Sequence, residues 1–126
     1  MRLLLDTHAV IWSLSEPNRL SSRARAQIAD PGNDVAISAA SAWEIAIKTA
    51  AGKLKVATSE LQASIEATGF SEVPITVEHA LTAGQLPAHH RDPFDRMLVA
   101  QALLDGWTLV TRDRAFAAYG VPILVA

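Results

Sequence analysis

The chain has 126 residues, of which 50% are hydrophobic and 19% are charged. That length supports one packed core, so we expect a single domain over residues 1–126 and no extended disorder. Cysteine is absent, which excludes disulfides and cysteine-based zinc or iron–sulfur sites. The formal net charge of −2 does not by itself indicate a nucleic-acid partner.

We do not expect the first residues to form a targeting segment. The apolar run that begins at Leu3 is interrupted by Asp6 and Thr7, which is unlike a signal peptide. No apolar run approaches the roughly 20 residues that a membrane span requires. We therefore expect a soluble, cytoplasmic protein without a membrane partner.

Short apolar runs alternate with longer helical patterns along the chain. Runs without polar alternation are typical of strands that are buried on both faces, as in a parallel sheet. The third run contains Pro74, which makes it a marginal strand. The predicted strands are Leu3–Leu5, Val35–Ile37, Val73–Ile75, Thr108–Thr111 and Ile123–Val125.

The segments between these runs have helical periodicity. Five glycines directly follow such segments, where a left-handed helix cap favours glycine: Gly52, Gly69, Gly84, Gly106 and Gly120. The predicted helices are Ala9–Leu14, Ser22–Ala29, Ala40–Ala51, Ser59–Thr68, Val77–Ala83, Pro93–Asp105 and Arg114–Ala118. Alternating strands and helices predict a three-layer α/β/α sandwich around a mostly parallel five-stranded sheet.

Three acidic residues fall at one edge of this predicted sheet. Asp6 directly follows the first strand, Asp113 lies just past the fourth, and Glu44 lies in the first turn of the helix after the second strand. Open parallel sheets bind ligands at the carboxyl ends of their strands. Asp95 precedes its strand, so we expect its helix to begin at the opposite edge in a simple crossover.

Each acid also has a purely structural interpretation. Asp6 could end a strand, Asp113 could cap a short helix, and Glu44 fits a capping box that begins at Ser41. Asp92 could be the N-cap and Asp95 the third residue of the next helix. Four acids in one cleft would instead repel one another and need a cation, and oxygen ligands suit Mg²⁺ or Mn²⁺. Such ions activate water and stabilise leaving oxygens in phosphoryl chemistry.

The combination of these acids with their flanking residues resembles the PIN-domain nucleases. More narrowly, it is similar to the toxin component of VapBC-type toxin–antitoxin pairs. The matching stretches occur in the family's order and span nearly the whole chain: Leu3–His8, Ser38–Lys48, His90–Ala102 and Leu109–Asp113. The resemblance implies a sheet with a central first strand, a metal held by four acids, and cleavage of RNA.

The resemblance also implies roles and partners. By position, Asp6, Glu44, Asp95 and Asp113 match the family's acidic set, and the family fold brings Asp95 to the site. The hydroxyls of Thr7 and Thr111 match positions beside the acids, while Asp92 matches a subgroup pattern and is kept as an N-cap with a supporting role. The implied partners are an antitoxin that covers the site and a second copy of the chain.

Direct metal contact is expected first from Asp6 and Asp95. Glu44 could bind the metal or orient the attacking water, and Asp113 is expected to act through water or a second ion. If the four acids bind metal, nine of the thirteen acidic residues remain against eleven basic ones. The rest of the protein would then be mildly basic, and its net charge would not oppose a phosphate-rich ligand.

Basic and aromatic side chains near the acids admit two interpretations each. The arginines beside the last two acids could bind phosphate or be surface charges: Arg91, Arg96, Arg112 and Arg114. The histidines could cleave RNA by acid–base chemistry, although loop or surface positions are favoured: His8, His79, His89 and His90. Trp43 and Trp107 are expected in the core, and Trp12 in a partner-facing patch with Ile11 and Leu14.

Two other enzyme classes fit less well. A haloacid-dehalogenase-type phosphatase needs a second Asp two residues after the first, where His8 stands. A receiver domain needs its Asp at the end of the third strand, which lacks one. A non-catalytic binding module of the same fold stays open, because fold does not fix function.

Overall fold

A computed structural model, which describes residues 1–126, contains one five-stranded sheet. Its strand order is β3-β2-β1-β4-β5, and every neighbouring pair is parallel. The strands are β1 (Arg2–Leu5), β2 (Asp34–Ser38), β3 (Ser71–Val73), β4 (Thr108–Thr111) and β5 (Ile123–Val125). The predicted parallel sheet with a central first strand is therefore confirmed.

Six α-helices connect these strands, and none is long and apolar enough to cross a membrane. They are α1 (Thr7–Ser15), α2 (Ser22–Ala29), α3 (Ala39–Ala50), α4 (Thr58–Thr68), α5 (Val77–Gln85) and α6 (Pro93–Asp105). Two 3₁₀ helices, Pro17–Arg19 and Arg114–Tyr119, complete the chain. The second occupies the segment predicted as the last helix, whereas the first was not predicted.

The alternation of side chains along β1 divides the core into two layers. Leu3 and Leu5 point to a cluster that includes residues of α1, α2, α3 and α4, whereas Leu4 points to a cluster built from α6 and its neighbours. All three leucines are fully buried. Burial on both faces explains why β1 has no polar alternation, and it confirms the three-layer α/β/α architecture.

Helix α6 runs antiparallel to the strands, from their carboxyl edge to their amino edge. At its end, the Asp105 carbonyl accepts a hydrogen bond from the Arg2 side chain at the start of β1. At its beginning, Asp95 and Asp113 both contact His90, and Asp113 lies two residues after the end of β4. The expectation that this helix begins at the opposite edge was wrong, because an ordinary crossover helix starts beside the carboxyl ends of strands.

Three predictions about core burial, strand bounds and glycine caps were wrong. Trp43, expected in the core, is 60% exposed because the inward face of α3 is formed by Ser41, Glu44 and Ile45. The third strand ends before Pro74, which cannot donate to the ladder, instead of running through it. Gly84 lies inside α5 without a positive φ, whereas the other four glycines predicted as caps have φ between 75° and 78°.

The two glycine environments give opposite predictions for substitution by alanine. Gly106 caps α6 at φ 75°, so Gly106→Ala should lower the free energy of unfolding by about 1–2 kcal/mol. A Cβ at Gly84 meets no atom within 4 Å, so Gly84→Ala should raise it by about 0.5 kcal/mol. Urea unfolding of both variants checks this, and a stabilising Gly106→Ala would contradict it.

Candidate active site

One cavity opens at the carboxyl edge of the sheet. It has a volume of about 510 Å³, and five acidic residues line it: Asp6, Glu44, Asp92, Asp95 and Asp113. Thr7, His8, Trp12, Lys48, Arg112 and Phe116 complete the lining. The structure therefore brings all four sequence-predicted acids to one cavity, together with Asp92.

Asp6 lies at the centre of this edge because β1 is the central strand. Its backbone N–H donates to the Val110 carbonyl at 3.1 Å, and its Oδ1 accepts from the Ala9 N–H at 2.9 Å, which caps α1. Burial raises the pKa of Asp6 above its usual 3.8, although hydrogen bonds from Thr111 and Ala9 oppose the shift. Asp6 directly follows the end of β1, as its structural interpretation predicted, and it is also the N-cap of α1 and a member of the acidic cavity.

Both oxygens of Glu44 are engaged by protein donors. The Thr7 hydroxyl donates to Oε1 at 2.5 Å, and the Lys48 ammonium donates to Oε2 at 2.5 Å. The N-cap of α3 is Ser38, so the predicted capping box from Ser41 to Glu44 is wrong. Glu44 instead turns its buried carboxylate into the cavity.

Asp95 carries the most perturbed carboxyl group of the cavity. Asp92 caps α6 by accepting from the backbone N–H groups of Phe94 and Asp95, as predicted. Burial, with the neighbouring Asp92 carboxylate as the next cause, raises the pKa of Asp95 to about 7. Charges on Glu44 and Asp6 act in the same direction, and His90 opposes them. The cavity therefore holds negative charge that its own cations do not balance.

Asp113 has a different environment at the rim. Its side chain is 45% exposed, and its Oδ1 accepts from the Ala115 N–H at 2.9 Å, so it caps the second 3₁₀ helix. Its Oδ2 lies 2.8 Å from His90 Nε2. The backbone hydrogen bond from Ala115, followed by His90, lowers the pKa of Asp113 below its usual 3.8.

The hydroxyl of Thr111 connects two of these acids. Its Oγ1 accepts from the Asp113 N–H at 3.0 Å, and the hydroxyl is hydrogen-bonded to Asp6. Because the hydroxyl has one hydrogen, it accepts from the Asp113 backbone and donates to the Asp6 carboxylate. Thr7 and Thr111 thus both orient carboxylates, in the positions that the sequence indicated.

The donor set fits a hard divalent cation. Its ligands would be carboxylate oxygens, and the raised pKa values of Asp6 and Asp95 show that the cavity stabilises neutral carboxyl groups over unpaired anions. A divalent cation removes that penalty by neutralising the charge. Ligand atoms of His90, Asp95 and Asp113 already lie within 4.8 Å of one another.

The four predicted arginines divide into three environments. Arg91 and Arg114 are exposed, which suits either of their two interpretations. Arg112 lines the cavity, stacks on Trp12 at 4.3 Å and donates to the carbonyl oxygens of Ala126 and Arg19. The Arg96 guanidinium donates to four backbone carbonyls, those of Ala83, Leu86, Pro87 and His90. Arg96 therefore closes a loop and is neither a surface charge nor directed at phosphate.

The histidines and tryptophans also differ from one another. His8 and His89 are exposed, whereas the surface prediction was wrong for His79, which is buried in α5 and bonded to Asp105. His90 is in a loop, as predicted, but its ring contacts the acidic cavity. Trp107 is buried as expected. Trp12 is partly buried against the core together with Ile11 and Leu14.

The sequence analysis did not name Lys48 as a site residue, and it favoured a loop or surface position over a role in the site for His90. Lys48 had a signal, because a Glu followed four residues later by Lys on a helix forms an ion pair. His90 had no such signal, since its position depends on the loop that Arg96 closes.

The comparisons with known proteins agree with this geometry. The family model described as PIN domain matches residues 3–122. The chain belongs to the PIN-domain family. Ribonuclease VapC22 of Mycobacterium tuberculosis is 34% identical over 122 residues, which cover 95% of this chain and 93% of that protein.

Solved structures share the PIN fold over nearly the full length of the chain. VapBC2 from Rickettsia felis, bound to a promoter DNA fragment, has a TM-score of 0.71 at 16% identity, with 98% of both chains covered. FitAcB from Neisseria gonorrhoeae has a TM-score of 0.67 at 23% identity, with 98% of this chain and 96% of that chain covered. At these identities the similarity supports the fold alone.

The raised pKa of Asp95 predicts how the stability of this PIN domain depends on pH. The folded state holds a proton on Asp95 up to about pH 7, whereas the unfolded chain releases it near 3.8. The free energy of unfolding therefore falls as pH rises from about 4 to about 7. In EDTA, Asp95→Asn should raise the melting temperature at pH 8 and have little effect at pH 4.

Asp113→Asn is the matched control for this experiment. The pKa of Asp113 is lowered by folding, so its charge contributes stability above the unfolded pKa that is lost as pH falls. Its substitution should lower the melting temperature at pH 8, by a small amount because the side chain is exposed. A lower melting temperature of Asp95→Asn than of the wild type at pH 8 would contradict the conclusion that the ionised Asp95 carboxylate destabilises the folded state.

Proposed function

We propose that this PIN-domain protein is an Mg²⁺- or Mn²⁺-dependent endoribonuclease and the toxin of a toxin–antitoxin pair. The observation that carries the proposal is the cavity in which Asp6, Glu44, Asp95 and Asp113 meet with uncompensated negative charge. The similarity to a protein named Ribonuclease VapC22 supports RNA as the substrate class. All four acids are present, which disfavours a non-catalytic binding module.

The proposed role of each acidic residue follows from its contacts. Asp6 and Asp95 are the proposed cation ligands, since burial or neighbouring charge raises the pKa of both carboxyl groups. When bound, the cation would neutralise phosphate charge and make water a stronger nucleophile. Glu44, fixed by Thr7 and Lys48, is placed to bind the cation or to orient the attacking water.

Asp113 is proposed to act through an intervening water. Both of its oxygens already accept hydrogen bonds, from the Ala115 N–H and from His90. Its exposure at the rim suits contact with solvent. The Lys48 ammonium lines the same cavity and would offer positive charge to a phosphate that reaches Glu44.

Two partners follow from the proposed toxin function. The structural neighbours VapBC2 and FitAcB support an antitoxin as one partner. A cationic side chain of that antitoxin could neutralise the acidic cavity in place of a metal ion. The second proposed partner is another copy of the chain, in a homodimer.

The decisive variant is Asp6→Asn, which removes a charge and keeps the helix cap, because Asn also accepts the Ala9 N–H. Losing a cation ligand should lower kcat/KM for RNA by over a hundred-fold, equivalent to about 3 kcal/mol of transition-state stabilisation. Asp30→Asn, which changes an exposed carboxylate in a turn, should leave activity unchanged. EDTA should abolish RNA cleavage by the wild-type protein, and added Mn²⁺ should restore that cleavage.

The RNA ends distinguish this mechanism from histidine chemistry. Hydrolysis by an activated water leaves no 2′,3′-cyclic phosphate, whereas attack by the 2′-hydroxyl does. Mapping of 5′ ends across a transcriptome after expression, with Asp6→Asn as the control, would also reveal the cleaved RNA. Cleavage that resists EDTA and yields cyclic phosphate, or a fully active Asp6→Asn protein, would refute the proposal.

A further inference from the structure

His90 is held in place by contacts of its backbone and of its ring. Its backbone N–H donates to the Tyr119 hydroxyl at 2.8 Å, and its carbonyl accepts from the Arg96 guanidinium at 3.1 Å. Its ring packs on Phe116 with 5.3 Å between centroids. Only 16% of the side chain is exposed. A loop histidine held in this way has one orientation, and in that orientation Nε2 points at two carboxylates that line the acidic cavity, Asp95 and Asp113.

The hydrogen bonds of the ring determine which nitrogen carries the hydrogen. Nδ1 accepts from the Asp92 N–H at 3.3 Å, so Nδ1 has a lone pair and Nε2 carries the hydrogen. Nε2 lies 2.8 Å from Asp113 Oδ2 and 3.2 Å from Asp95 Oδ2. Asp113 Oδ2, the nearer of the two, is a carboxylate oxygen, which accepts an N–H and repels a lone pair.

We propose that His90 is a positioning residue of the acidic cavity, whose Nε2–H bridges Asp95 and Asp113 without binding the metal. This inference rests on the proposed metal-dependent function. Asp113 needs such a tether because it is 45% exposed and lies beside other carboxylates that repel it. Its one other side-chain hydrogen bond is the cap to Ala115. Without His90, Asp113 would rotate toward solvent.

Direct metal ligation by His90 is the alternative that distance alone permits. His90, Asp95 and Asp113 have ligand atoms within 4.8 Å of one another. A metal-binding Nε2 would have to transfer its hydrogen to Nδ1. That hydrogen would face the Asp92 N–H, which Nδ1 now accepts, and would place two donors against each other. The backbone of the α6 N-terminus therefore selects the donor role.

The first test determines which ring nitrogen of His90 carries the hydrogen in the wild-type protein. ¹⁵N NMR of the histidine rings, without RNA, should show the Nε2–H tautomer for His90 both before and after addition of Mg²⁺. An Nδ1–H tautomer in the free protein would overturn the inference. Loss of the Nε2 hydrogen on adding Mg²⁺ would also overturn it, because that result indicates direct ligation.

The second test measures Mn²⁺ affinity in the absence of RNA. His90→Leu should weaken Mn²⁺ binding about tenfold, as expected for removal of a group that orients a ligand. His90→Gln places an amide N–H near the position of Nε2 and should stay within about threefold of wild type. His89→Leu changes the adjacent exposed histidine and should have no effect.

The outcomes separate this inference from the proposed function. Equal Mn²⁺ affinity of His90→Leu and wild type would overturn the role of His90 and leave the metal site intact. Equal losses in His90→Gln and His90→Leu would show that the N–H is not what matters, and would overturn it too. Failure of the wild-type protein to bind Mn²⁺ at all would refute the proposed function together with this inference.

Discussion

Parallel pairing of β1 with both β2 and β4 is the constraint on which the site depends. It aligns the carboxyl ends of three strands, so Asp6, the start of α3 and Asp113 meet at one edge. The antiparallel course of α6 adds Asp95 to the same edge. The sheet thereby forces carboxylates together, at an electrostatic cost that only donors, protons or cations can offset.

The chain offsets this repulsion unevenly. Glu44 and Asp113 each have both oxygens occupied by hydrogen-bond donors, and folding lowers the pKa of Asp113. Asp6 and Asp95 are left with less compensation than burial and neighbouring charge demand, so folding raises their pKa values. We infer that this unevenness separates the carboxylates that would bind a cation from those that the protein itself holds in place.

Local sequence pattern predicted the features that depend on neighbours along the chain. The apolar runs located all five strands, and Asp92-Pro93 located the start of α6. Features that depend on how a helix is oriented in the fold were predicted wrongly. A wrong assumption about the crossover placed Asp95 at the opposite edge of the sheet, and Trp43, which was predicted in the core, lies outside the inward face of α3. The position of His90 could not be predicted, because it depends on four backbone carbonyls, from the end of α5 and the loop after it, that converge on the Arg96 guanidinium.

Location of bound Mn²⁺ by anomalous diffraction tests the central claim most directly. If uncompensated carboxylates define the site, an anomalous peak should lie about 2.1 Å from oxygens of Asp6 and Asp95. The peak should disappear in Asp6→Asn crystals prepared in the same way. Mn²⁺ bound elsewhere in the wild-type protein, with no peak at these two residues, would contradict the account.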